Sequence, residues 1–258
     1  MERLVGKVCI VTGAGSRTDG IGNGRAVAIL FAREGATVVV NDRDEAAARR
    51  TLDVIESEGG RGSIFVGDLT RADTARQLVE HAETTWGHLD VVHNNIGIEG
   101  AGTVVEATEE LWDRVMTVNV KTMMLVGKYA VPALERAGGG SIINISSIAA
   151  LRPHGLTPYS ASKGAVIALS QAMAMDHAGQ GIRVNCIAPG PVYTPHVAAA
   201  GMSDELRERR RLASPLKLEG TAWDVAHAAV YFASDESRWV TGVVIPVDGG
   251  VVLSSAAR

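Results

Sequence analysis

The sequence predicts a doubly wound α/β fold, a parallel seven-stranded sheet with helices on both faces. Three observations predict it. Short β-branched runs alternate with longer Ala-rich segments, charged on one side, along nearly the whole chain. The short runs are apolar with little alternation, as strands covered on both faces require. A glycine-rich turn, TGAGSRTDGIGNGRAVA, joins the first such run to the first helical segment. Repeated strand–helix–strand units connect through right-handed crossovers into a parallel sheet.

Strands are expected at residues 7–12, 36–41, 62–67, 89–94, 141–146, 182–188 and 242–247, and helices at 24–34, 43–58, 71–86, 108–136, 159–178 and 222–233. Pro132 has no N–H to donate and is expected to kink or end the fourth helix. No repeat, low-complexity tract or linker interrupts the pattern, so residues 1–258 read as one domain. Composition agrees with a globular protein: 46% hydrophobic, 21% charged and 29 glycines. A net charge of -4 leaves no basic excess to neutralise phosphate, which argues against a nucleic-acid partner. No membrane-spanning run and no signal-peptide pattern are found, so a cytoplasmic location is expected. Cys9 and Cys186 lie in apolar runs as buried free thiols, and the seven histidines lack metal-ligand spacing, so no metal is expected.

The glycine turn carries the first chemical signal. A dinucleotide pyrophosphate needs a tight turn after the first strand, close backbone approach and a helix N-terminus aimed at it. Gly13, Gly15, Ser16, Gly22 and Gly24 are the candidate cradle. Asp42 ends the second strand 20 residues after Gly22, where a carboxylate can accept from ribose hydroxyls in a Rossmann-like unit.

At these residues the chain resembles the single-domain short-chain dehydrogenases/reductases. Thr12, Gly13, Gly22 and Gly24 fit the family's T-G-x-x-x-G-x-G if residues 17–21 are an insertion; a second register uses Gly20 and Gly22. Arg17 and Asp19 then form either a flap over the pyrophosphate or a solvated loop tip. The resemblance also implies that Asp68 and Leu69 hold the adenine. It extends to NNIG (94–97), with Asn95 and Gly97, to PGPVYT (189–194), with Pro189, Gly190, Val192 and Thr194 beside the nicotinamide, and to VTG…VDGG (240–250).

YSASK (159–163) carries the second signal. On a helix, positions i and i+4 share a face, so the Tyr159 phenol and Lys163 ammonium meet over one site. A tyrosine of pKa about 10 is a poor base at neutral pH, and a neighbouring ammonium, helped by an oxidised nicotinamide, lowers that value. Tyr159 is the expected general acid/base, with Lys163 also binding the nicotinamide ribose. The resemblance assigns Ser147 of NISS as the second donor, 12 residues before Tyr159 where 13 is the family's commonest gap; Ser146 lies at that spacing. It also implies that Asn119 holds a water linking Lys163 to solvent.

Asp42 favours NAD(H), whereas Arg43 could clamp the 2′-phosphate of NADP(H) if Asp42 turned away. The expected activity is hydride transfer between the nicotinamide and a small-molecule secondary alcohol or ketone. The alternatives are an NADPH-dependent 3-oxoacyl (acyl carrier protein or CoA) reductase and a catalytically inactive dinucleotide-binding regulator. A substrate lid is expected around 195–215. Its RERRR run (207–211) either meets an acidic group or forms a solvated face compensated by Glu205 and Glu208; Arg152 and His154 are further candidate substrate contacts. The resemblance implies a homo-oligomer, a tetramer or dimer, built on the two long central helices and the last strand, with the VVLSSA end (251–256) against a partner or frayed.

Overall fold

The computed structural model describes residues 2–16, 20–153, 155–195 and 201–254. Seven strands, β1 (Val8–Thr12), β2 (Thr37–Asp42), β3 (Arg61–Val66), β4 (Val91–Asn94), β5 (Gly140–Ile145), β6 (Ile182–Pro189) and β7 (Val244–Val247), form one sheet of order β3-β2-β1-β4-β5-β6-β7. Every pair is parallel. The helices are α1 (Asn23–Arg33), α2 (Glu45–Ser57), α3 (Ala72–Trp86), α4 (Glu109–Met116), α5 (Thr122–Arg136), α6 (Thr157–His177), α7 (Asp204–Ala213) and α8 (Ala222–Ala233).

Successive side chains on β1 serve opposite layers, as the period of a strand demands. Cys9 and Val11 pack with α1, α2 and α8, while Val8 and Ile10 pack with α3, α5 and α6. Both faces are therefore covered, which is why the central strands read as unbroken apolar runs. β3 lies at the edge and is only half-buried.

Two expectations along the chain are corrected. Pro132 does not end its helix, because α5 runs through it to Arg136. The irregularity lies earlier, in a π-helical turn at Thr117–Lys121 that separates α4 from α5 and carries the buried Asn119. A wider turn re-aims one side chain without breaking the helix. α6 also starts two residues before Tyr159, with Pro158 in its first turn, where a fixed φ suits a helix start. Among the described residues no helix is long and apolar enough to cross a membrane.

β4 places His93 fully inside the α1-side layer, edge-on to Phe31 with ring centroids 6.2 Å apart. Neither ring nitrogen has a partner among the other described residues. Burial without a partner pulls the imidazole down to about 3, because the charged form cannot be solvated there. The unfolded chain takes up this proton near pH 6.5 and the folded chain does not, so stability falls as pH drops from about 6.5 toward 3. Urea unfolding at pH 6.5 and 5 should show wild type losing up to about 1.4 kcal/mol per pH unit more than His93→Leu. Equal losses in the two proteins would remove His93 as the cause.

Candidate active site

Strand order reverses between β1 and β4, so the loops leaving their carboxyl ends diverge and open a crevice. Asn95 spans this switch point. Its backbone N–H donates to Thr12 Oγ1 at 3.0 Å and its Nδ2 donates to the Gly13 carbonyl at 3.0 Å. Gly13 turns the chain in the left-handed region, φ 59°. Gly22 caps α1 and has open space around its Cα; a Cβ on Gly24 would collide with the Gly13 carbonyl oxygen. The close helix–strand approach therefore belongs to Gly24, as the register with a 17–21 insertion expects. No acidic side chain stands in the first turn of α1, so its positive end is left for an anion. The residues fit a dinucleotide pyrophosphate.

The stem of the insertion is tied by two arginines that the sequence did not single out. Buried Arg25 donates to the Gly20 carbonyl at 3.1 Å and to the Arg50 carbonyl at 3.2 Å, while Arg50 Nε donates to the Ser16 carbonyl at 2.8 Å. Ser16 Oγ closes the stem on Gly20 O at 2.9 Å. A cation in the first turn of a helix opposes its dipole. That conflict was the available signal for Arg25. Residues 17–19, with the flap expected of Arg17 and Asp19, lie outside the described residues, as do His154, residues 196–200 and the end of VVLSSA from 255 onward.

Asp42 does not turn away. Its carboxylate accepts from the Gly15 N–H and the Asp44 N–H, both at 3.1 Å. A Cβ on Gly15 would stand 2.6 Å from Asp42 Oδ2, so a side chain there would displace the carboxylate. Arg43 is exposed, and its charge joins the Thr70 N–H in holding the Asp68 carboxyl below its usual range. Leu69 is buried in the core, so it offers this edge backbone rather than side chain. Pro189 ends β6; Gly190 packs against Asp248 too closely for a Cβ; Val192 is buried and Thr194 half-buried.

Beyond β5 the two serines part company. Ser146 Oγ is buried and donates to the Lys163 carbonyl at 2.7 Å. Ser147 caps a 3-10 turn, accepting from the Ala149 N–H at 3.1 Å, and its hydroxyl acts on the Tyr159 phenol in the sense that favours the phenolate. Burial nevertheless pushes the Tyr159 phenol above its ordinary value, outweighing Ser147, and Glu99 adds to the rise. Lys163 Nζ donates to the Ile145 carbonyl at 2.9 Å and lies 5.7 Å from the Tyr159 ring centroid. Burial pulls this ammonium down to about 8. The lysine aims a proton at the Ile145 carbonyl, and desolvation dominates both groups.

Asn119 is fully committed through its side chain. Its Oδ1 accepts from the Ile98 N–H at 2.8 Å, and its Nδ2 donates to the Ile98 carbonyl and to Ser162 Oγ, each at 2.9 Å. Gly97 lies between it and the lysine: a Cβ there would stand 3.2 Å from Lys163 Nζ and 3.5 Å from Asn119 Oδ1. Arg152 is drawn away toward the C-terminal segment, donating to Val251 O at 2.7 Å and Ser254 Oγ at 2.9 Å. In the arginine run, Glu219 rather than Glu205 takes Arg207, at 2.6 Å, and Glu208 takes Arg211, also at 2.6 Å.

A family model described as enoyl-(acyl carrier protein) reductase, of the short-chain alcohol dehydrogenase type, matches residues 15–252. The chain belongs to the short-chain dehydrogenase/reductase family. Within it, the chain is 39% identical to a 3-oxoacyl-[acyl-carrier-protein] reductase of Thermotoga maritima, over 97% of this chain and 100% of that one. It is 36% identical to a 2,5-dichloro-2,5-cyclohexadiene-1,4-diol dehydrogenase of Sphingobium indicum, over 96% and 97% of the two chains. Among solved structures, a 7α-hydroxysteroid dehydrogenase complexed with NADH and 7-oxo glycochenodeoxycholic acid superposes with a TM-score of 0.90 at 33% identity, covering 96% of this chain and 95% of that one.

The serine geometry gives a stability test. Ser146→Ala removes a buried hydrogen bond to a carbonyl that keeps its helical one and should cost about 0.5–1.5 kcal/mol, with Ser147→Ala costing less. Thermal unfolding of both variants reads the difference; a larger loss for Ser147→Ala would reverse the assignment.

Proposed function

We propose that this family member is an NAD(H)-dependent oxidoreductase acting on a secondary alcohol or ketone. The observation that carries the reading is Ser147 directly after β5 with Tyr159 on α6, whose ring centroid lies 5.7 Å from the buried Lys163 Nζ, at the carboxyl edge of a sheet whose switch point fits a dinucleotide. A bound nicotinamide supplies the two-electron hydride donor or acceptor. Gly13, Gly15, Ser16, Gly22 and Gly24 line the pyrophosphate turn, Asp42 accepts from the adenosine ribose, and Asp68 with Leu69 borders the adenine. Asn95, Gly97, Pro189, Gly190, Val192 and Thr194 border the nicotinamide end, where Lys163 binds the second ribose.

Tyr159 gives its phenolic proton to the carbonyl oxygen in reduction and takes the hydroxyl proton in oxidation. Ser147 is the second donor to that oxygen as its charge develops. Lys163 keeps a positive charge beneath the phenol and passes protons outward through water past Asn119. Its side-chain amide is occupied by Ile98 and Ser162, so its support is chiefly to hold the loop beside the lysine. The intact four-residue set speaks against a regulator without turnover, since binding alone needs no proton relay.

The carboxylate of Asp42, fixed by two backbone N–H groups over the glycine turn, favours NAD(H) by repelling a 2′-phosphate. The similarity to a 3-oxoacyl reductase favours the second reading, an NADPH-dependent 3-oxoacyl reductase. The described parts of the 195–215 segment, with α7, form the substrate lid of a one-domain protein. Exposed Met124 on α5, Met175 on α6, Trp239 and Leu253 support a homo-oligomer through these faces.

Fluorescence titration should give NADH binding at least about tenfold tighter than NADPH, worth about 1.4 kcal/mol, with Asp42→Ala narrowing the gap. Tighter NADPH binding in wild type would promote the 3-oxoacyl reductase reading. Tyr159→Phe should lower kcat by at least about 100-fold and Ser147→Ala by a similar factor, while Ser146→Ala stays within several-fold where it folds. Because burial holds Tyr159 protonated, kcat/KM for ketone reduction should persist through neutral pH and fall above about 8, where Lys163 loses its proton. Alcohol oxidation needs the phenol proton removed and should rise with pH instead. Parallel profiles in the two directions would contradict the role given to Tyr159.

A further inference from the structure

Helix α7 carries four arginines, and three of them are accounted for. Arg207 forks onto Glu219 through Nε and Nη2, both at 2.6 Å, and lays its guanidinium 3.9 Å from the Tyr193 ring centroid. Arg211 forks onto Glu208 at 2.7 and 2.6 Å and reaches the Lys217 carbonyl. Arg209 is exposed. Arg210 alone turns inward. It is half-buried, and its one hydrogen bond among the described residues is a long one, Nη2 to the Val192 carbonyl at 3.4 Å. A guanidinium offers five N–H donors in a planar fork suited to an oxyanion, so most of this one is unmatched.

The carbonyl that Arg210 touches belongs to PGPVYT, the segment leaving the sheet's carboxyl edge beside the active site. Two carboxylates act on Arg210 by charge, Glu99 and Glu219, and Glu99 acts on Tyr159 as well. Glu99 is held in place from both sides. Ile98 is gripped by the Asn119 amide, and Gly100 lies so close to α6 that a Cβ would stand 3.2 Å from Pro158 Cβ and 3.5 Å from the Tyr159 N atom. The Glu99 loop thus abuts the start of α6 at Tyr159, and the under-matched Arg210 guanidinium touches the segment leaving β6 at the same carboxyl edge of the sheet.

We propose that Arg210 is a specificity-determining residue that receives an anionic group of the substrate, carried away from the reacting carbon, while Glu99 turns away anions placed close to Tyr159. The proposal rests on the oxidoreductase reading and adds its substrate class: an alcohol or ketone bearing a carboxylate or phosphate. The two sources are separated by the probes.

The test is calorimetric binding to the NAD-loaded protein, which needs no turnover. One arm uses methyl-ketone carboxylates of increasing chain length, each beside its methyl ester. The other compares acetoacetyl-CoA with the acetoacetyl thioester of N-acetylcysteamine, which lacks phosphate. In at least one arm the anionic member should bind about tenfold tighter or better, a ratio set by one charge-assisted contact. Arg210→Gln should reduce that ratio below twofold, Arg210→Lys should restore part of it, and Arg209→Gln, which removes the same charge from the same helix, should leave it intact. Glu99→Gln should admit shorter oxo acids. In turnover, Arg210→Gln should raise KM for the anionic member with kcat within twofold, a split that a structural role would not produce. Esters binding as well as acids at every length, with no preference for the CoA thioester, would overturn the proposal, as would a preference surviving in Arg210→Gln. Failure to reduce any ketone, esters included, would sink the oxidoreductase reading instead, and the binding ratio would still decide Arg210.

Discussion

The rest of the site depends on the seam between the end of β5 and the first turns of α6. Two buried hydrogen bonds cross it in opposite senses: Ser146 Oγ donates to the Lys163 carbonyl, and Lys163 Nζ donates to the Ile145 carbonyl. Seven residues further along α6, on the same face, Ser170 accepts from Asn144 Nδ2, and Asn144 Oδ1 accepts from Asn94 of β4. Polar groups buried this deeply are costly unless paired, so the helix cannot slide or rotate without orphaning several at once. The seam fixes the height and rotation at which Tyr159 emerges above the sheet edge, and it leaves Ser147 as the serine that faces the phenol.

A second constraint is the switch point between β1 and β4. Asn95 ties the strand-end loop to Thr12 and to the Gly13 carbonyl, the same oxygen against which Gly24 packs. One backbone carbonyl thus joins the glycine turn, the start of α1 and the loop that leads to Gly97. The π-helical turn at Asn119 completes the connection by holding Ile98 through both its N–H and its carbonyl. Sites proposed for the two ends of a dinucleotide are in this way braced by hydrogen bonds between short polar side chains and backbone groups.

Electrostatics follow from burial more than from pairing. Tyr159 is raised and Lys163 lowered because each is drawn out of water, and their neighbours alter that balance only in part. From outside the seam, the charge of Glu99 acts on the phenol and also on Arg210. Polar chemistry is thus graded from a dry interior at Lys163 to a charged rim on α7.

The sequence by itself determined the fold class, the placement of seven strands, the glycine turn with its insertion, and the Tyr159–Lys163 spacing. These are local signals: apolar periodicity, glycine positions and an i,i+4 interval survive in one dimension. It allowed for an end to the central helix at Pro132, which the helix runs through, and gave no sign of the π-helical turn at Asn119, because the loop that this side chain holds lies 21 residues away in sequence. Only tertiary structure separated Ser146 from Ser147, since the spacing to Tyr159 favoured one and the resemblance the other, and the difference lies in which hydroxyl meets the Lys163 carbonyl. Only tertiary structure, likewise, drew Arg152 to the C-terminal segment and turned Arg210 inward from a run in which Arg207 and Arg211 are paired with glutamates. Partner choice among like residues is decided by long-range contacts and burial, and no local pattern encodes either.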